Sequence, residues 1–200
     1  MGVDNNQQET FSAYSEDQCL AQGTLVDAAL AARRHLDQQN QRRALILQDS
    51  TCQVIDLDLS GDEALLARKA EHFPLAANAR NPADDAPVAK EITLLPRHWD
   101  WLAQQQSSPA AVLRRLIDEA RRDPYQRAAS EIRHHQNLTY RFCQTLCGDL
   151  PSYEEALRAL FARDESGFLT QTANWPSDLA RQARQLAAPI WRLDIDAEDN

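Results

Sequence analysis

Glycine is scarce in this chain, with 5 among 200 residues, and no two of them are close enough to share a loop. That excludes a phosphate-cradling loop, because both nucleotide fingerprints need clustered glycines where the backbone meets the phosphates. Cysteine is sparse too. Cys19, Cys52, Cys143 and Cys147 are too few and too scattered for a disulfide framework in a chain this long, so they read as reduced thiols in a reducing compartment. No apolar run approaches the ~20 residues that a membrane span needs. The opening MGVDNNQQET is polar and acidic, without the basic start and apolar stretch of a signal peptide. The expectation is a cytoplasmic protein with no membrane attachment. Lysine is nearly absent as well. Arginine supplies 19 of the 21 basic residues, and its planar fork suits bidentate contact with phosphate or carboxylate.

What is present is ordinary for a globular protein: 43% hydrophobic and 26% charged residues. The net charge of −9 counts against nucleic acid, yet it is unevenly spread. Residues 1–89 carry 7 basic and 14 acidic side chains, and residues 123–200 carry 8 and 12. Between them, residues 90–122 carry 6 basic and 4 acidic side chains, the one stretch with a positive balance.

The patterning predicts an α+β fold: a small N-terminal sheet with helices, then a mostly helical C-terminal half. In residues 9–72, ETFSAY and QCLAQG read as strands flanking a turn at Ser15, Glu16 and Asp17. Thr24 is placed to cap a helix with Asp27 in its first turn, and Val26, Ala29, Leu30 and Leu36 share one face. RALILQ and TCQVIDLDL form a second hairpin around Asp49 and Ser50. In its second strand Val54, Asp56 and Asp58 alternate with Ile55, Leu57 and Leu59, as in a sheet with one wet face and helices on the other. Residues 61–72 make another helix. Residues 73–89 hold three prolines among small and acidic residues and read as a linker. Residues 123–192 are helical. A long helix from about Tyr125 to Cys147 carries Ala128, Ile132, His135, Thr139, Phe142, Cys143 and Leu146 on one stripe, and Gly148 ends it. Ser152, Tyr153, Glu154 and Glu155 read as a capping box ahead of Ala156, Leu157, Leu160 and Phe161, and Trp175-Pro176 opens a last helix with Leu179 and Leu186 facing inward. Residues 193–200 form an acidic tail.

The basic stretch 90–122 compresses a strand, a proline and two helices. Ile92 and Leu94 share one strand face, and Pro96 removes a donor where a helix can start. Trp99, Leu102 and Ala103 give the first helix an apolar face. Ser107, Ser108 and Pro109 supply a cap and an N1 proline for the second. There Val112, Leu113, Leu116, Ile117 and Ala120 occupy one arc, with Arg114, Arg115, Arg121 and Arg122 opposite. This order resembles the ribbon-helix-helix family, in which two chains pair their strands into a ribbon that enters the DNA major groove. The resemblance implies a homodimer on double-stranded DNA. Glu91, Thr93 and Leu95 would face the bases, Ser107, Ser108 and the following amides would hold phosphate, and Arg97, Arg114 and Arg115 would be auxiliary contacts. Glu91 departs from the family's usual Arg, Lys, Gln or Asn and opposes the electrostatic term that supplies most affinity. Shifting the face by one residue brings Lys90 outward but exposes Ile92 and Leu94. The alternative is that this strand pairs within a dimer or joins the N-terminal sheet while the helices only pack. In that case the exposed tryptophan of Trp99 and Trp101 and the arginine face would dock an acidic protein partner.

LLPRHWDWL, GDLPSYEEALRALFARD and WPSDL together also resemble a bacterial family known only as a domain of unknown function, over most of the chain. That family implies no activity. No metal or cofactor is expected. His135 and Cys143 are about 12 Å apart along a helix, far beyond the ~2 Å bonds of zinc, and only Cys143 and Cys147 are spaced to share an ion. Glu131 and His134 match the Glu-x-x-His of di-iron bundles once, where two copies are needed. Asp56 and Asp58 are explained by strand alternation, with no histidine or nucleophile signal beside them. The reading is non-enzymatic.

Overall fold

The computed structural model describes residues 9–38, 43–75 and 90–193. It is α+β, and the chain divides into two compact units. One joins residues 1–73 to residues 131–200, and the other spans residues 74–130. Most of the expected linker, residues 76–89, and the tail beyond 193 lie outside the described residues.

The first unit is built on a four-stranded antiparallel sheet of order β2-β1-β3-β4. Its strands are β1 (Phe11–Ser15), β2 (Gln18–Gly23), β3 (Leu45–Gln48) and β4 (Gln53–Ile55). The first hairpin turns where the sequence places it, with Glu16 in the left-handed region at φ 53°, and a bulge between Ala13 and Tyr14 shifts the register. α1 (Leu25–Gln38) follows. Thr24 N and Oγ1 donate to Asp27 Oδ2 at 3.0 and 2.7 Å, and Asp27 N donates back to Thr24 Oγ1 at 3.2 Å. This reciprocal cap satisfies two donors that a helix start leaves open. The face it buries is shifted from the one expected and shares Ala29 with it. Ala28, Ala29 and Ala32 are fully buried beside Leu25, while Val26, Leu30 and Leu36 are only partly covered. Small side chains let the helix lie close on the sheet. α2 (Glu63–Glu71) completes that layer, capped by Asp62, whose side chain accepts from Leu65 N. Phe11, Ala13, Ile46 and Leu66 form the core between sheet and helices, joined by Ile55, Leu57 and Leu59 as the alternation predicts.

The other face of the sheet is wet at its β4 edge and covered elsewhere. Tyr14 and Leu47 enter a second core with Phe142, Cys143, Leu160, Phe168, Leu179 and Ile190. Those residues come from α5 (Pro124–Leu146), α6 (Tyr153–Phe161), α7 (Glu165–Gln171) and α8 (Ser177–Arg192). Tyr14 meets Phe142 edge to face, with ring centroids 5.7 Å apart. Cys19 N donates to Asp178 Oδ2 at 3.0 Å, and Arg141 Nη1 to Thr51 O at 3.3 Å. The expected wet face is kept at β4, where Val54, Asp56 and Asp58 are exposed, and gives way to this second core at β1 and β3; β1 also holds two serines, Ser12 and Ser15. Both are buried, and each has a partner: Ser12 Oγ donates to Asp49 Oδ1 at 2.7 Å and Ser15 Oγ to the Arg43 carbonyl. A buried hydroxyl that is hydrogen-bonded costs little. Within the helical layer, Ser152 makes no side-chain cap and adopts φ 59°, so the expected capping box does not form. Phe161 is about half exposed rather than inward.

Candidate nucleic-acid interface

In the second unit, residues 90–95 carry no strand pairing and are not part of the sheet. The alternative in which this segment joins the N-terminal sheet is therefore not what the chain does. Leu95 is extended, at φ −69° and ψ 151°, and leads into α3 (Pro96–Ala103), where Pro96 sits in the first turn. After residues 104–107, Ser108 caps α4 (Pro109–Arg122), its side chain accepting from Ala111 N, again with a first-turn proline. α4 stops at Asp123, whose backbone turns extended and whose carboxylate accepts from Tyr125 N at 2.9 Å to start α5. The two prolines and two capping side chains thus place three helix starts where the sequence puts them.

Every residue assigned to DNA is exposed: Glu91, Thr93, Leu95, Arg97, Ser107, Ser108, Arg114 and Arg115. Ser107 and Arg115 come together in the wall of a polar pocket of about 480 Å³, with Gln104, Gln105, Gln106 and Val112. The three glutamine amides had no assigned role in the sequence, although QQQSSP immediately before a helix start is a visible cluster of donors. Arg115 lies 4.0 Å from Glu119, at the limit of an ion pair, and Arg97 and Arg114 carry no ion pair among the described residues.

A second surface was only half legible. Leu94, His98, Trp101, Leu102 and Leu113 line an apolar groove of about 310 Å³. Leu94 faces the helices as its strand face predicts, but Trp101 rather than Trp99 reaches the groove. Both tryptophans remain nearly half exposed. Of this unit's described residues only Leu102 and Val112 are buried, while Ile92, Leu95, Leu116 and Ile117 are exposed.

The other candidate groups have structural partners. Asp58 accepts from Lys69 Nζ at 2.6 Å and from Ser60, and these bonds hold its carboxyl well below the usual carboxylate range. Cys143 and Cys147 are fully buried, and the Cys147 contact, followed by burial, raises the Cys143 thiol well above its ordinary value. Burial pushes the Cys52 thiol up to about 12. Thiols held protonated in this way are poor nucleophiles and poor ligands. Among the described residues no three His, Cys, Asp or Glu side chains are grouped to hold a metal ion, and no helix is long and apolar enough to cross a membrane.

A family model described as "Uncharacterized protein conserved in bacteria (DUF2239)" matches residues 10–187. No curated protein and no solved structure matches the chain. The chain belongs to that family.

Proposed function

We propose that this member of an uncharacterized bacterial family is a non-enzymatic, cytoplasmic regulator that binds double-stranded DNA as a ribbon-helix-helix-like homodimer through residues 90–122. The observation that carries the reading is the exposed segment 90–95, without strand pairing and extended at Leu95, ahead of two proline-started helices in the only net-basic stretch of an acidic chain. An exposed segment without strand partners is available to pair with its own copy. In this reading the exposed Arg97 and Arg114 meet phosphate, as do Ser108 and the amides at the α4 start. Glu91 limits how much of the outward face favours DNA, so affinity falls mainly to the arginines.

Electrophoretic retardation of mixed-sequence duplex at low salt tests this. Affinity is expected to fall steeply with salt, and Arg114→Ala to reduce the slope of log affinity against log salt by about one. No retardation of any duplex at low salt overturns it. A second reading, a non-catalytic adaptor for an acidic protein partner, is favoured by the half-exposed Trp99 and Trp101. It expects salt-tolerant recovery of one partner, lost in Trp101→Ala.

A further inference from the structure

The geometry points to the open face of α4 as a contact between two copies of this chain, packed antiparallel about Leu116 and Ile117. The inference rests on reading residues 90–122 as a paired element, and it adds which surface pairs and how its arginines divide.

The described residues of this unit bury only Leu102 and Val112. A segment of this size cannot hold two helices in place on so small a core. α3 and the residues after it cover the N-terminal half of α4, since Leu102 meets Leu113 across the groove and Gln104 to Gln106 meet Val112. The C-terminal half is open: Leu116 is 39% and Ile117 55% exposed, and Ala120 continues the same arc. Trp101, 47% exposed, and the groove walls extend this open apolar surface.

The arc is also self-complementary, as a two-fold contact requires. In an antiparallel pair each flank of a helix faces the same flank of its copy. One flank of α4 holds Arg115 and Glu119, both well exposed and barely paired within the chain at 4.0 Å. With the axis beside Ile117, Arg115 comes level with Glu119 of the second copy, and the reverse, making two ion pairs. The other flank holds Arg114 and Arg121, so pairing gathers four arginines into one basic ridge free for phosphate. Antiparallel packing further sets each α3 beside the open half of the other α4, whereas parallel packing crowds both α3 helices at one end.

Sedimentation equilibrium of the full chain, without DNA, is expected to give twice 22.6 kDa. Ile117→Glu should weaken association at least about 100-fold and Arg115→Glu about tenfold, with Arg115→Glu/Glu119→Arg back within about twofold of the parent. Leu116→Cys should cross-link to its copy with diamide, and Ala120→Cys, about 10 Å from its counterpart across such an axis, should not. Circular dichroism checks that each variant folds, and the cross-link stands if Ile117→Glu does not. A monomer at every concentration overturns the inference, as does a dimer indifferent to Ile117→Glu or equal cross-linking at position 120. A dimer that retards no duplex removes the DNA reading alone, and a dimer that retards duplex but is indifferent to Ile117→Glu removes this inference alone.

Discussion

His135 sits half-buried on α5, and burial, then the neighbouring His134, pulls its pKa below the ordinary 6.5. The folded ring therefore gives up its proton more readily than the unfolded one. Below about pH 6.5 the unfolded chain binds more protons, so stability falls as pH drops through that range and is unaffected above it. Urea midpoints measured between about pH 7 and 5 should decline, and His135→Gln should flatten that decline; an unchanged slope in the variant contradicts the assignment. At this scale the sequence reveals residue types but not partners. Ile132, Thr139, Phe142 and Cys143 are buried where a 3.6-residue period puts them. The burial of Ser12, Ser15, Ala28 and Ala32 went unread, because burial of a serine depends on a distant acceptor such as Asp49, and alanines carry little hydrophobic signal. The residues expected to face DNA are all exposed, as polarity suggests for all but Leu95, while the glutamine wall beside Ser107 depends on how α3 turns back on α4.

Helix starts show how local chemistry fixes elements. Asp62 caps α2 through a 2.8 Å bond from Leu65 N, holding Leu66 in the core. Asp62→Ala should cost about 1 kcal/mol in urea unfolding. Ser152 occupies the same position before α6 but makes no cap and lies at φ 59°. Ser152→Gly should therefore be neutral or add up to about 1 kcal/mol, and a loss as large as that of Asp62→Ala would show that its side chain does cap. Elements with a local signal were legible: α1, α3, α4, α5 and α8 begin at or beside the residues their caps and prolines mark. α7 was not, since its seven residues, ESGFLTQ, offer one buried side chain, Phe168, and no full period. β4 is shorter than its alternating pattern because only Gln53 to Ile55 have a neighbour in β3 to pair with, although the alternation itself continues to Leu59.

At the scale of the molecule, residues 9–73 and 131–193 share one body, with the sheet between α1 and α2 on one face and α5 to α8 on the other. A fragment ending at residue 75 leaves Tyr14 and Leu47 uncovered and should be unfolded or aggregated; well-dispersed amide resonances from it would contradict the shared core. The α+β composition was legible from periodicity, and this pairing was not, because no local pattern records which distant helix covers a strand. The covered second face also sets an order in time. Translation at about 5–20 residues per second delivers α8 on the order of 10 s after β4. Until then the sheet leaves the ribosome with Tyr14 and Leu47 bare, and Cys19 N has no Asp178 to receive it. The nascent chain thus spends its most aggregation-prone interval waiting for its own C-terminus, the interval in which a chaperone that shields apolar surface matters most.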